Sequence, residues 1–324
     1  MSVIIQKFGG TSVADVASRE HVLGKIKKEL DALNNPVVVV SAMGRRGAPY
    51  ATDTLLDLIP GAPAEMSALI VSCGEIISAC IVANCLCAKG IEAKALTAYT
   101  AGIIAKGPYD SARPENIKTA ALEKLIKSGI VPVVTGFQGV LPDFSLATLG
   151  RGGSDTSAVA LGAWLNAEYV DIYTDVPGVA MADPRIVPEA PFIPHLDYRS
   201  MVRLSSHGSK VLHDLSAKIA QEKNVNVRIR STFDDLPGTI IGPSRRRGDA
   251  GADIAGIAVK DKDAGKSLVT IVYKTPSGAA GAEKILKQLK AKANPSRDSA
   301  VVAFDYPKAR VKEAIRTILA PYIK

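Results

Sequence analysis

Thr148-Leu-Gly-Arg-Gly-Gly-Ser-Asp155 packs an arginine, a carboxylate, hydroxyls and three glycines into eight positions. Backbone that must come close to a charged ligand needs glycine, and an arginine offers a planar fork to a carboxylate or phosphate. Working outward, Ile130 to Val134 upstream reads as a strand, Ser154 to Leu165 as a helix and Tyr169 to Tyr173 as another strand, so the segment lies in an α/β alternation. A second segment, Lys7-Phe-Gly-Gly-Thr-Ser12, follows the apolar run Val3-Ile4-Ile5 and has the composition of a phosphate cradle. A third, Tyr173-Thr-Asp-Val-Pro-Gly178, ends an apolar run and is followed by Asp183-Pro-Arg185. Any one of these turns alone reads best as an ordinary strand-to-helix joint. Three of them, with Lys7, Arg151, Asp155, Asp175 and Arg185 beside glycine, mark the rim of an α/β active site.

The alternation extends along most of the chain. Strands are expected at 3–5, 37–40, 93–96, 130–134 and 169–173, with helices at 16–33, 64–88, 114–127 and 154–165. Continuous runs such as Val37-Val-Val-Val40 fit strands covered on both faces, hence a largely parallel open sheet with helices on each side. Helices near 198–204 and 210–223 and strands 225–229 and 239–241 complete a first domain, 1–242. Gly242-Pro-Ser-Arg-Arg-Arg-Gly-Asp-Ala-Gly251 reads as a linker, 243–252. Beyond it, 253–324 alternates strands (254–259, 268–273, 300–304) with helices (280–292, 309–319), a small α+β module of regulatory or dimerising size.

Composition narrows the function classes. With 324 residues, 47% hydrophobic and 22% charged, the chain can bury a full core and reads as soluble. Its N-terminus lacks the basic region and long apolar stretch of a signal peptide, and 64–88 is broken by Glu65, Glu75 and Asn84, so a cytoplasmic protein without a membrane span is expected. The four cysteines, Cys73, Cys80, Cys85 and Cys87, share one predicted helix, where core packing is the expected role. Four scattered histidines stand at no metal-ligand spacing, so no protein metal site is expected. Net charge +8 would suit nucleic acid, but the lysines lie on helix faces without interleaved aromatics, and a polyanionic small substrate such as ATP accounts for the balance. Ala264-Gly-Lys-Ser267 lacks the first glycine of a P-loop and reads as a turn, and Gly150-Arg-Gly152 lacks the last glycine of a dinucleotide fingerprint.

Taken in order, KFGGTS (7–12), VVVVSAMG (37–44), SCGE (72–75), GFQG (136–139), TLGRGGSD (148–155), YTDVPG (173–178), DPR (183–185), SKVLH (209–213) and RSTF (230–233) closely resemble the aspartate kinases of the amino acid kinase family. The resemblance runs from Ser2 to about Ile241. It implies the amino acid kinase fold, a homodimer, and transfer of the γ-phosphoryl of Mg-ATP to the β-carboxylate of L-aspartate, giving the 4-phosphoaspartate that feeds lysine, methionine and threonine synthesis. Such a transfer is catalysed by positioning and by cations around developing negative charge, and a carboxylate nucleophile needs no strong base. By motif match, Lys7 would stabilise the transferring group, oriented by Asp155, while Gly9 and Gly10 hold phosphate oxygens. Arg151 would fork onto the α-carboxylate and Glu75 would take the α-ammonium, with a buried salt bridge as the structural alternative for Glu75. Ser41, Thr52 and Ser154 complete the substrate side, and Thr174, Asp175, Arg185 and Lys210 the nucleotide side. The chain departs from the family at Ala180, Ala105-Lys106, Ala147 and His207, which leaves open another carboxylate substrate on the same fold. A non-catalytic regulatory paralogue is the rival from another class, disfavoured by the presence of Lys7, Arg151, Asp155, Asp175 and Lys210. The C-terminal module looks like one ACT domain where the family normally carries two, and 275–280 lacks the usual effector turn, so altered regulation is expected.

Overall fold

A computed structural model describes residues 2–209, 211–244, 253–262 and 265–323. From the N-terminus the chain runs β1 (Val3–Phe8), α1 (Val16–Asp31), β2 (Asn35–Val40), α2 (Thr52–Leu56), α3 (Ala64–Ala88) and β3 (Ala93–Leu96). It continues through α4 (Ala98–Ala101), β4 (Ile103–Lys106), β5 (Arg113–Ile117), α5 (Ala120–Lys127), β6 (Val131–Thr135), β7 (Gln138–Val140), β8 (Leu146–Thr148), α6 (Gly153–Trp164) and β9 (Tyr169–Thr174). Then follow β10 (His195–Asp197), α7 (Tyr198–Ser206), α8 (Asp214–Lys223), β11 (Val227–Ser231) and β12 (Thr239–Gly242). The chain closes with β13 (Ile254–Asp261), β14 (Lys266–Tyr273), α9 (Pro276–Ala279), α10 (Ala282–Leu289), β15 (Val301–Pro307) and α11 (Val311–Leu319).

Two compact units result: Met1–Pro177 with Ile219–Gly238, and Gly178–Lys218 with Thr239–Lys324. In the first, six strands lie in the order β11-β9-β1-β2-β6-β3 and every pairing is parallel. The valines of β2 explain this: Val37, Val38, Val39 and Val40 are all fully buried, and each contributes about 1.5–3 kcal/mol only if both faces of the strand are covered. On one face Phe8, Val38, Val40 and Tyr173 pack with Val22 and Ile26 of α1 and Val82 and Leu86 of α3. On the other, α6 lies against β1, β2 and β9, and a Cβ at Gly162 would stand 2.3 Å from Val170. β1 has β2 on one side and β9 on the other, so chain order reverses there, and loops leaving the carboxyl ends of these strands diverge to form a crevice.

A four-stranded sheet, β5-β4-β7-β8, also belongs to the first unit and was not foreseen. Its strands are three to five residues long, too short for a readable period. The helix expected over 114–127 is corrected accordingly: Arg113–Ile117 is extended and pairs antiparallel with β4, and the helix begins only at Ala120. The cysteines do share α3, but Cys73, Cys80 and Cys87 face outward and Cys85 is half-buried, against the expected core packing.

The second unit pairs β10 with β12 in parallel and orders β13-β14-β15 antiparallel. Its core joins Met181, Ala182, Val187 and Ala190 to Ile254, Ile271, Phe304 and Ile315. The units are thus drawn differently from the expected 1–242 and 253–324, because the apolar residues of 178–190 fold with the C-terminal strands. Most of the expected linker, 245–252, lies outside the described residues, as does Ala264. Gly265 turns at φ +70° into the strand β14 instead of a helix, in keeping with a plain turn there.

Candidate active site

The carboxyl ends of β1 and β2, the start of α6 and one face of α3 enclose a cavity of about 640 Å³ within the first unit. Lys7 is the penultimate residue of β1. Strand alternation points its side chain to the α6 side of the sheet, opposite to Phe8, where it meets Asp155 in the first turn of α6 with Nζ 2.6 Å from Oδ1. Both side chains are mostly buried, so the two charges hold each other at the cavity wall. The α6 turn is possible because Gly150 and Gly152 take φ of +69° and +70°. Gly10 meets a different demand: a Cβ there would lie 2.5 Å from the Ala42 carbonyl and 2.6 Å from that of Gly44, so only glycine lets the turns after β1 and β2 close on each other.

Glu75 lies in the middle of α3 and only 2% of it is exposed. Its Oε1 accepts the Ala42 N–H at 3.1 Å, while Oε2 is buried with no hydrogen-bond partner among the described residues. Burial pushes the carboxyl from 4.5 up to about 8, against the lowering effect of the Ala42 amide. The salt bridge weighed as its structural alternative is absent among the described residues. Arg151 stands exposed on another wall of the cavity and makes no ion pair among the described residues. A buried carboxylate oxygen lacking a partner and an unpaired guanidinium in one cavity form a receptor for a small molecule carrying both an ammonium and a carboxylate.

Ser41, Thr52 and Ser154 line the same cavity, so Lys7, Ser41, Thr52, Glu75, Arg151, Ser154 and Asp155 all meet in one place. Gly9 and Gly10 form the turn just beyond Lys7. Thr174 ends β9, and its hydroxyl accepts the Val176 N–H at 2.9 Å. Asp175 pairs with Arg45 at 2.9 Å, both side chains being largely in water. Arg185 belongs to the second unit, where its guanidinium forks onto Asp183 with contacts of 3.0 and 2.6 Å. Lys210 lies outside the described residues. Asp53, Asp110 and Phe137 also line the cavity and escaped sequence reasoning. Phe137 carries a positive φ of 69°, and nothing in a phenylalanine between Gly136 and Gln138 signals that strained backbone. Asp110 sits in a turn whose composition is that of any surface loop.

The sequence profile of the amino acid kinase family matches residues 2–231. Aspartokinase 1 of Bacillus subtilis is 42% identical over 271 residues, covering 81% of this chain and 67% of that protein. The aspartokinase of Geobacillus stearothermophilus is 40% identical over 74% of this chain and 59% of its own length. The chain therefore spans roughly three-fifths to two-thirds of the curated relatives it matches. Among solved structures, the aspartate kinase of Synechocystis is 33% identical with a TM-score of 0.65, over 99% of this chain and 56% of that one. The E. coli aspartokinase III complex with aspartate and ADP superposes with a TM-score of 0.82 over 99% of this chain and 100% of that one, and at 19% identity this likeness concerns the fold. Sequence match, parallel sheet and the placing of the glycine turns agree, and the chain belongs to the amino acid kinase family, among its aspartokinases.

Proposed function

We propose that the chain transfers the γ-phosphoryl group of ATP to the β-carboxylate of L-aspartate, giving 4-phospho-L-aspartate and ADP, the entry step to lysine, threonine and methionine. The observation that carries this reading is the pairing of Glu75, with its buried unpartnered oxygen, and the unpaired Arg151 in one cavity with Lys7. Glu75 takes the α-ammonium and Arg151 the α-carboxylate, which directs the remaining carboxylate of aspartate toward Lys7. A diacid without an amine would leave Glu75 unpaired and is selected against. Lys7 neutralises charge that grows on the phosphoryl oxygens as the carboxylate oxygen bonds to phosphorus and the bond to ADP breaks. Asp155 keeps the ammonium in place, and Ser41, Thr52 and Ser154 hold the reacting end. By motif, Gly9, Gly10, Thr174 and Asp175 are assigned to the nucleotide, and Arg185 and Lys210 match the family's nucleotide-binding segments. Magnesium fits as a cation carried on the ATP phosphates, whose oxygens and waters it prefers to an all-protein cage.

That relatives bear the name aspartokinase, and that the E. coli enzyme was crystallised with aspartate and ADP, supports the same reading. A cytoplasmic homodimer, with residues 253–324 as an ACT-like module, completes the proposal. The test is ATP turnover with aspartate, glutamate and a diacid lacking the amine, trapping the acyl phosphate with hydroxylamine. Hydroxamate with aspartate alone is expected; equal turnover with the diacid would remove Glu75 from the substrate site.

A further inference from the structure

Helix α3 poses a problem of register. Its inward face is apolar over Ala68, Val71, Ala79, Val82, Ala83 and Leu86, and apolar contact is non-directional, so it does not fix how far the helix stands along its own axis. Glu75 needs that distance fixed, because a slip of one residue's rise, about 1.5 Å, would carry Oε1 out of reach of the Ala42 N–H. At Gly74 the helix comes into backbone contact with the long turn after β2, where a Cβ would lie 2.7 Å from the Tyr50 carbonyl, yet contact alone does not bond the two. Gln138, the first residue of β7, supplies a bond. Its Nε2 donates to the Ser72 carbonyl at 2.8 Å, and its Oε1 accepts the Thr135 hydroxyl at 3.1 Å. Gln138 and Ser72 are fully buried and Thr135 nearly so.

We propose that Gln138 is a positioning residue for the substrate site, acting on the amino-acid ammonium through Glu75. Ser72 and Glu75 are three positions apart and share one face of α3, so a bond at the first sets the depth of the second. The bonds close a ring. Thr135 ends β6, the N–H of the next residue, Gly136, donates to the Val40 carbonyl at 2.9 Å, and two residues beyond Val40 the Ala42 N–H meets Glu75 at 3.1 Å. Ser41 stands inside that ring, between Val40 and Ala42. An amide in an apolar interface adds little net stability even with both ends bonded, because those bonds replace bonds to water. What it adds is direction, in the way a single buried polar residue selects one register between apolar helices. This role rests on the proposed aspartate site, since only a substrate with an ammonium draws on Glu75.

The test is a double-mutant cycle on the full chain. Gln138→Met keeps the length of the side chain and removes both bonds. It should raise KM for aspartate about 10-fold, the effect of one buried hydrogen bond, and leave kcat and KM for ATP within about twofold, because the ammonium contact is the same in ground and transition states. In a Glu75→Gln background the same change should add almost nothing to KM for aspartate, since the contact it serves is already gone. A second measurement needs no substrate: amide hydrogen exchange at Ala42 should become about 10-fold faster in Gln138→Met, with the amides of Val38, Val39 and Val40 unchanged. Thr135→Val keeps the shape of its side chain and loosens Gln138 without unbonding Ser72. It should give smaller changes of the same sign, which keeps the test decisive if the Gln138→Met chain does not fold. Effects of Gln138→Met and Glu75→Gln that simply add, or an Ala42 amide that exchanges at the wild-type rate, would overturn the proposal. A wild-type chain that turns over no aspartate would instead strike the substrate reading, and exchange at Ala42 would still decide whether Gln138 holds Glu75 in place.

Discussion

Glu75 provides a test that reads a proton directly. In the ligand-free protein its carboxyl is pushed up to about 8 by burial, so at pH 7 it is about nine-tenths protonated. An ammonium placed against the unpartnered oxygen reverses the balance and restores the ionised form. Aspartate binding at pH 7, where its amine is fully protonated in solution, should therefore release about 0.9 proton. Titration calorimetry in two buffers of different ionisation enthalpy measures that number, since the apparent heats differ by the protons released. Glu75→Gln keeps the shape and removes the titration, so its heats should not depend on buffer. The same shift has a signature without substrate. A carboxyl whose folded value lies above its unfolded 4.5 binds its proton more tightly in the folded chain, so stability is present at low pH and is lost as pH rises from about 4.5 through about 8. The loss is at most roughly 5 kcal/mol. Glu75→Gln should show no such decline from this position. A wild-type proton count near zero at pH 7, or an unchanged count in Glu75→Gln, would refute the placement of the ammonium at Glu75.

Further expectations concern single side chains. Lys7→Met should lower kcat by about 100-fold or more with the fold intact, because it removes the cation beside the transferring group; a folded variant with near-normal turnover would contradict the role. Arg151→Lys should raise KM for aspartate and leave KM for ATP almost unchanged, since an ammonium cannot reproduce a two-pronged contact, and the reverse pattern in steady-state kinetics would move Arg151 to the nucleotide side. Asp171 is fully buried between Arg228, at 2.5 and 2.8 Å, and Arg230 at 3.5 Å. Asp171→Leu should cost about 3–5 kcal/mol in denaturant unfolding by stranding Arg228, and joint replacement with Arg228→Leu should recover most of it. Recovery failing altogether would show that the pair itself, and not the stranded charge, matters for stability.

Much of the parallel sheet was legible because its strands are buried on both faces, and a run such as Val37-Val-Val-Val40 has no other comfortable place. Helix α3 is legible with its observed bounds from a mostly apolar stretch, interrupted by Glu65, Glu75 and Asn84, between Pro63 and Lys89. What that stretch could not convey was which of its residues turn outward. A helix apolar on most of its faces has no period from which to choose, so the sequence alone places the exposed cysteines in the core. The small four-stranded sheet was illegible for a related reason, since strands of three residues offer no pattern, and Arg113-Pro-Glu-Asn-Ile117 is extended because β4 pairs with it.

At the site the division is similar. Glycine turns beside Lys7 and Arg151 could be picked out from residue type alone, because backbone conformation and charge beside glycine are local properties. Whether Glu75 is bridged or left open is a property of its neighbours across 33 residues of chain, and only the fold brings the Ala42 amide to one oxygen and leaves the other without a hydrogen-bond partner among the described residues. Asp110 and Phe137 entered the cavity wall in the same way, through packing between segments remote in sequence. Composition and spacing thus determined the strand order's raw material, the glycine turns and the charged candidates. Tertiary structure alone decided which polar atoms remain unpaired, because pairing depends on what long-range packing places within hydrogen-bond reach.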